Sequence, residues 1–268
     1  MPEIEVDGAR LYYTDTGSGD ETIVFSHGLL FSSAIFEKQI DHLKDRYRCI
    51  AYDHRGQGKS SAAVDGYDMD TQTEDAAALM NALEAGPCHF VGLSMGGFVA
   101  MRLAIRRPEL LRSIVLMETS ADPEPAENVP KYRRLNWVAR WIGLWPVVGR
   151  VMPIMFGRTF LSDPARADER AFWKRQILRN NRDTITRAVD GVIRRQGIHE
   201  DLGRIDLPAL VLVGDEDVAT VPAKAERLHE AIGGSKLVHI PRAGHSSSVE
   251  EPAAVNAALD AFLAETQT

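Results

Sequence analysis

The residues this sequence uses sparingly narrow the possibilities at once. It has two cysteines among 268 residues, Cys49 and Cys88, and nothing in it resembles a cluster of metal ligands. No stretch approaches the ~18 uninterrupted apolar residues of a membrane-crossing helix. Basic excess is missing: the formal charge of −7 argues against a nucleic-acid surface. There is neither a P-loop nor a dinucleotide fingerprint. The opening Met1-Pro2-Glu3-Ile4-Glu5 lacks the basic start and apolar core of a secretory signal. Together these absences point to the cytoplasm, with no nucleic-acid and no membrane partner. What remains is an ordinary soluble globular composition, 44% hydrophobic and 26% charged.

Short apolar runs alternate with helical patterns through most of the chain. Val6–Thr14 and Thr22–Ser26 read as opening strands around a Gly17-Ser18-Gly19-Asp20 turn. Helix is expected over Phe36–Leu43, strand over Cys49–Tyr52, and helix over Met69–Leu83 with a cap near Asp70-Thr71. A strand over Leu110–Met117 follows. The rhythm resumes with strand Leu210–Val213, helix Val221–Ala231, strand Lys236–Ile240 and helix Ala253–Ala264. Such alternation predicts a mostly parallel sheet with helices on both faces.

The stretch Gly92-Leu93-Ser94-Met95-Gly96 carries the chemistry. It follows the apolar His89-Phe90-Val91 and opens a helical pattern at Gly97-Phe98-Val99. A serine on so tight a strand-to-helix turn takes a strained backbone conformation, and only small neighbours avoid a clash. The turn also aims the first free N–H groups of the helix at whatever the hydroxyl attacks. A serine hydroxyl needs a base to take its proton, and the base needs a partner to fix its tautomer. Two late strand ends offer them: Gly214-Asp215-Glu216-Asp217 after Leu210–Val213, and Pro241-Arg242-Ala243-Gly244-His245 after Lys236–Ile240. Open α/β sheets bind ligands at the carboxyl ends of their strands. His239 lies inside a strand, His229 in a charged helix, and His42, His89 and His199 lack strand-end context. For the acid, Asp217 leads, with Asp215 and Glu216 as rivals in the same loop and Glu118 as a rival at another strand end.

The order Ser94, Asp217, His245 resembles the α/β-hydrolase superfamily, serine esterases and enol-lactonases in particular. The resemblance runs from about residue 3 to 265. Val24-Phe25-Ser26-His27-Gly28-Leu29-Leu30 is similar to the family's strand-then-HG loop, and Asp53-His54-Arg55-Gly56-Gln57-Gly58-Lys59-Ser60 to its D-x-R-G-x-G-x-S loop, read here as a turn held by Asp53 and Arg55. The resemblance implies an α/β-hydrolase fold with a helical cap insertion: residues 1–120 and 205–268 as the core and 121–204 as the cap. It implies an oxyanion hole from the backbone N–H groups of Leu29 and Met95. In that fold Cys49 and Cys88 sit on strands flanking a third, too far apart for a disulfide. The implied activity is hydrolysis of a small-molecule carboxylic ester or lactone through an acyl-enzyme, with no cofactor. A carbon–carbon bond hydrolase, a cofactor-free perhydrolase and a non-catalytic, receptor-like binder share the same elements.

Residues 121–204 hold no convincing strand, all four tryptophans and many of the arginines. Trp137, Trp141 and Trp145 recur every four residues and so share one helix face. They pack the cap or roof an acyl pocket; in the second case Trp137 and Trp141 join Leu30 and Val218 as pocket residues. Of Arg187, Arg194 and Arg195, one could point inward and take a substrate carboxylate.

Overall fold

The structure, a computed structural model, describes residues 2–266. Its centre is one eight-stranded sheet: β1 (Glu3–Val6), β2 (Ala9–Asp15), β3 (Thr22–Ser26), β4 (Arg48–Tyr52), β5 (Cys88–Leu93), β6 (Leu111–Met117), β7 (Ala209–Gly214) and β8 (Lys236–Ile240). The spatial order is β1-β2-β4-β3-β5-β6-β7-β8. β1 and β2 pair antiparallel, as do β2 and β4, and every pair from β4 to β8 is parallel. The fold is the α/β-hydrolase fold the sequence led us to expect.

Local sequence explains the elements. β5 and β7 are buried along their whole length, which is why they read as unbroken apolar runs. Side chains alternate across the sheet. Val24, Ile50, Phe90, Ile114 and Val211 face the helices Met69–Ala82, Met95–Arg106 and Pro222–Ala231. Ile23, Phe25, Val91, Val115 and Leu212 face the helices Glu37–Leu43 and Pro252–Thr266. The single opening strand expected over Val6–Thr14 is instead the turn of a hairpin and its second arm. Gly8, at φ +70°, takes the left-handed conformation that reverses the chain. The cap of helix Met69–Ala82 is Asp68 rather than Asp70-Thr71; its carboxylate accepts the Thr71 N–H at 2.9 Å. Cys49 and Cys88, both buried and unbridged, lie on β4 and β5 with β3 between them.

Between β6 and β7 the chain forms the helices Val129–Trp141, Trp145–Met155, Arg158–Ser162, Ala167–Arg179 and Arg182–Ile193. Trp173 anchors this segment to the sheet-side core, edge-on to Phe31 with ring centroids 5.7 Å apart. Among the described residues no helix is long and apolar enough to cross a membrane.

Candidate active site

Ser94 is the single residue between β5 and the helix Met95–Arg106. Its backbone, at φ +52° and ψ −107°, lies where non-glycine residues are strained. The surroundings hold it there: its N–H donates to the Met117 carbonyl at 2.8 Å, and its own carbonyl accepts the Thr119 hydroxyl at 2.8 Å. Close approach explains the flanking glycines. A Cβ on Gly92 would stand 2.3 Å from the Gly96 carbonyl oxygen, and one on Gly96 2.0 Å from that of Ser26.

His245 follows β8, and its Nε2 lies 2.8 Å from the Ser94 Oγ. Its Nδ1 lies 2.8 Å from Oδ2 of Asp217, which follows β7. Asp217 is held as an acceptor on every side. Its Oδ1 accepts the N–H groups of Ala219 and Thr220 at 2.7 and 3.0 Å, and its Oδ2 accepts the Thr220 hydroxyl at 2.7 Å. With the carboxylate accepting, the imidazole carries its proton on Nδ1 and leaves the Nε2 lone pair for the serine proton. All three side chains are buried.

The HG loop presses against the serine. A Cβ on Gly28 would lie 3.3 Å from the Ser94 Cβ. His27 fixes the loop: its Nδ1 donates to the Gly28 carbonyl at 2.7 Å, and its Nε2 accepts the His54 N–H at 3.0 Å. Burial lowers the basicity of His27, and that of His54 further, so both rings are neutral. The Leu30 N–H is taken by Gln57 Oε1 at 2.9 Å. Met95 is the first residue of its helix, so its N–H has no acceptor within that helix. Leu29 follows Gly28 in the HG loop and lines the same cavity as Ser94, and Met95 opens the helix that follows Ser94.

A sequence profile of the alpha/beta hydrolase fold matches residues 21–252. The chain belongs to the α/β-hydrolase family. This hydrolase is 29% identical over 254 residues to 3-oxoadipate enol-lactonase 2 of Acinetobacter baylyi, spanning 94% of this chain and 92% of that protein. Among solved structures, a thermophilic esterase from Thermogutta terrifontis superposes with a TM-score of 0.92 at 27% identity, covering all of both chains. The enol-lactonase of Burkholderia xenovorans LB400 superposes at 0.91 with 26% identity, covering 98% of this chain and all of that one.

In this α/β hydrolase the rival acids are occupied elsewhere. Asp215 pairs with His239 at 2.9 Å. Glu216 binds the Thr159 N–H and hydroxyl at 2.8 and 2.6 Å and Arg158 at 3.1 Å. Glu118 makes no hydrogen bond to His245. It is fully buried, and burial raises its carboxyl well above the usual range. In the D-x-R-G loop, Asp53 accepts the Ser33 and Lys59 N–H groups at 2.7 Å each, and Arg55 makes a buried two-pronged pair with Asp75 at 2.6 Å.

Ser94 and His245 open into a cavity that Leu30 also lines. Three expected pocket residues do not. Trp137 and Trp141 are 60% and 66% exposed and point away from it. On helix Val129–Trp141 the inward face carries Leu135, Asn136 and Ala139 instead. Spacing of four places the two tryptophans on one face without saying which face is inward. Val218 is 63% exposed; its successors Ala219 and Thr220 line the cavity while it projects out of the turn. Trp145 is exposed as well. The walls are mostly aliphatic, with Leu144, Val147, Val151, Ile185, Val189 and Ile193. Of the three arginines considered, Arg187 donates to the Val64 carbonyl. Arg195 does line the cavity, but it is paired with Glu124 at 2.9 Å and lies over the Phe98 ring, 4.4 Å from its centroid. Thr220, Phe98 and Glu124 went unnoticed in the sequence. Only Thr220, three residues after Asp217, carries a local signal, that of a side chain closing a turn.

Proposed function

We propose that this α/β hydrolase cleaves small-molecule carboxylic esters or lactones through an acyl-enzyme on Ser94. His245 takes the Ser94 proton as the oxygen attacks the carbonyl carbon, and Asp217 stabilises the imidazolium. The N–H groups of Leu29 and Met95 hold the developing oxyanion. The imidazolium then gives its proton to the leaving alkoxide. Water, deprotonated by the same imidazole, releases the acid and restores Ser94. In this scheme the nucleophile, the base, its acid partner and the oxyanion donors are all groups of the polypeptide. Residues 121–204 act as a cap, a unit apart from the 1–120 and 205–268 core, and close the acyl pocket from above. The observation that carries this reading is the unbroken 2.8 Å and 2.8 Å path from Ser94 through His245 to Asp217 at the floor of an aliphatic cavity.

The pocket supports a narrower substrate class: esters or lactones whose acyl part is apolar and uncharged. An enol-lactone of a dicarboxylic acid such as 3-oxoadipate keeps a free carboxylate, which needs an unpaired cation. Here the lining arginine is already neutralised by Glu124. The test is a panel of nitrophenyl esters and lactones, together with fluorophosphonate labelling. Labelling should fall on Ser94, and Ser94→Ala should lower turnover by several orders of magnitude while ligand binding persists. A protein that neither turns over the panel nor takes the label, or a Ser94→Ala variant of near-normal activity, overturns the proposal.

A further inference from the structure

The side of the cap that faces away from the cavity has no role in the reaction, and its composition is unlike the rest of the surface. Trp137, Trp141, Ile142 and Trp145 are 60–77% exposed. Single exposed apolar residues are common, but three tryptophans on adjoining helices form a patch. The charge along this stretch of chain has one sign. Residues 128–162 contain no Asp or Glu, and they carry Lys131, Arg133, Arg134, Arg140, Arg150 and Arg158. The first five of these form no salt bridge among the described residues, and Arg140 lies beside the Trp141 ring, 6.0 Å from its centroid. On helix Val129–Trp141 the outward face holds Arg133, Arg134, Trp137 and Trp141, while Leu135, Asn136 and Ala139 face the cavity. All this stands on a molecule whose formal charge is −7.

We propose that this face of the cap docks onto an anionic lipid membrane. Tryptophan suits the headgroup boundary, with an apolar ring and one N–H for the wet side. Unpaired Lys and Arg around it are drawn to the negative surface, and the acidic remainder of the molecule is repelled, so one orientation is favoured. Charge also disfavours a second copy as the occupant: a two-fold interface sets a patch against itself, here Arg133 and Arg134 against their own equivalents. Single-stranded nucleic acid needs a groove to follow its backbone, and these tryptophans line none of the large cavities. The lack of a spanning helix does not bear on a surface mode, which needs only an amphipathic face. Docked in this way, the helices that wall the acyl pocket lie at the boundary from which an apolar ester would come.

The experiment is co-sedimentation of the full chain with phosphatidylcholine vesicles, with and without phosphatidylglycerol, while tryptophan emission is followed. Binding should require phosphatidylglycerol, shift the emission to the blue, and weaken at least tenfold at high salt. Arg133→Glu with Arg134→Glu should weaken it at least tenfold, and replacing the three exposed tryptophans by Ala should abolish the blue shift. Both variants should keep wild-type turnover of a water-soluble ester, which shows that they are folded. Ser94→Ala should bind vesicles like the wild type, so docking and catalysis can fail separately. Absence of vesicle binding, binding indifferent to anionic lipid, or a concentration-dependent dimer that buries these tryptophans would each overturn the proposal.

Discussion

Glu124→Ala should both destabilise this hydrolase and change what it accepts. Arg195 Nη1 lies 2.9 Å from Glu124 Oε2, with the two side chains only 2% and 10% exposed. Removing one partner of such a pair leaves a buried charge, a cost of about 3–5 kcal/mol. Arg195 keeps the Asp122 and Val192 carbonyls at 3.1 and 2.9 Å and the face of Phe98, which places the loss at the low end, ~3 kcal/mol. For a chain of this length that is a fall in Tm of roughly 6–12 °C. The freed guanidinium then lines the acyl pocket as an unpaired donor. A substrate carboxylate that reaches it gains a charged hydrogen bond of about 1.5–3 kcal/mol, a factor of roughly ten to a hundred in kcat/KM. The assay compares p-nitrophenyl hexanoate with p-nitrophenyl hydrogen adipate, which differ at the far end of the same six-carbon chain. The wild type should prefer the hexanoate strongly, and the ratio should move at least tenfold toward the adipate in the variant. Free adipate should also raise the Tm of Glu124→Ala and leave the wild type alone. A folded Glu124→Ala protein with an unchanged ratio would refute the reasoning, as would a wild type that already prefers the charged ester.

Three further outcomes follow from the same geometry. Asp217→Asn should lower kcat by about 10⁴ through loss of the Nδ1–H tautomer, whereas Glu118→Gln should stay within a few-fold, since the His245 Nδ1 is bonded to Asp217 and not to Glu118; stopped-assay kcat values decide it. Ser94→Gly and Ser94→Ala should both be inactive, but in urea unfolding the glycine variant should be more stable by about 1 kcal/mol because only it accepts φ +52° without strain. Burial pushes Glu250 up to about 7, so its folded form holds a proton that the unfolded chain releases near 4.5. Its stabilising contribution is therefore whole below 4.5 and is lost as pH rises to about 7, some 3 kcal/mol over that window. Urea titrations between pH 4.5 and 7.5 should show stability falling with pH, and the slope should flatten in Glu250→Gln.

Much of the fold is legible in the chain because buried parallel strands and covering helices have different periods. Ser94, Asp217 and His245 are legible for a related reason: each stands within a few residues of an apolar run that ends abruptly, and the carboxyl ends of parallel strands meet at one edge. The sequence puts Asp217 ahead of Asp215 and Glu216 but does not exclude the other two. Three acids in one loop differ only in where the turn aims them, and the structure sends the first to His239 and the second to Thr159. Glu118 is similar: a carboxylate at a strand end looks available until its complete burial is seen.

The sequence by itself determined the alternation that makes a parallel sheet, the glycines on either side of Ser94, and the order of the groups around it. These are local properties, set by covalent geometry and by hydrophobic period. Tertiary structure alone decided which side of helix Val129–Trp141 turns inward, and so put Trp137 and Trp141 outside and Leu135 and Ala139 on the cavity. It alone joined Glu124 to Arg195, 71 positions apart. Periodicity specifies that residues share a face, but the partner of that face, and the partner of a buried charge, exist only once distant segments have packed together.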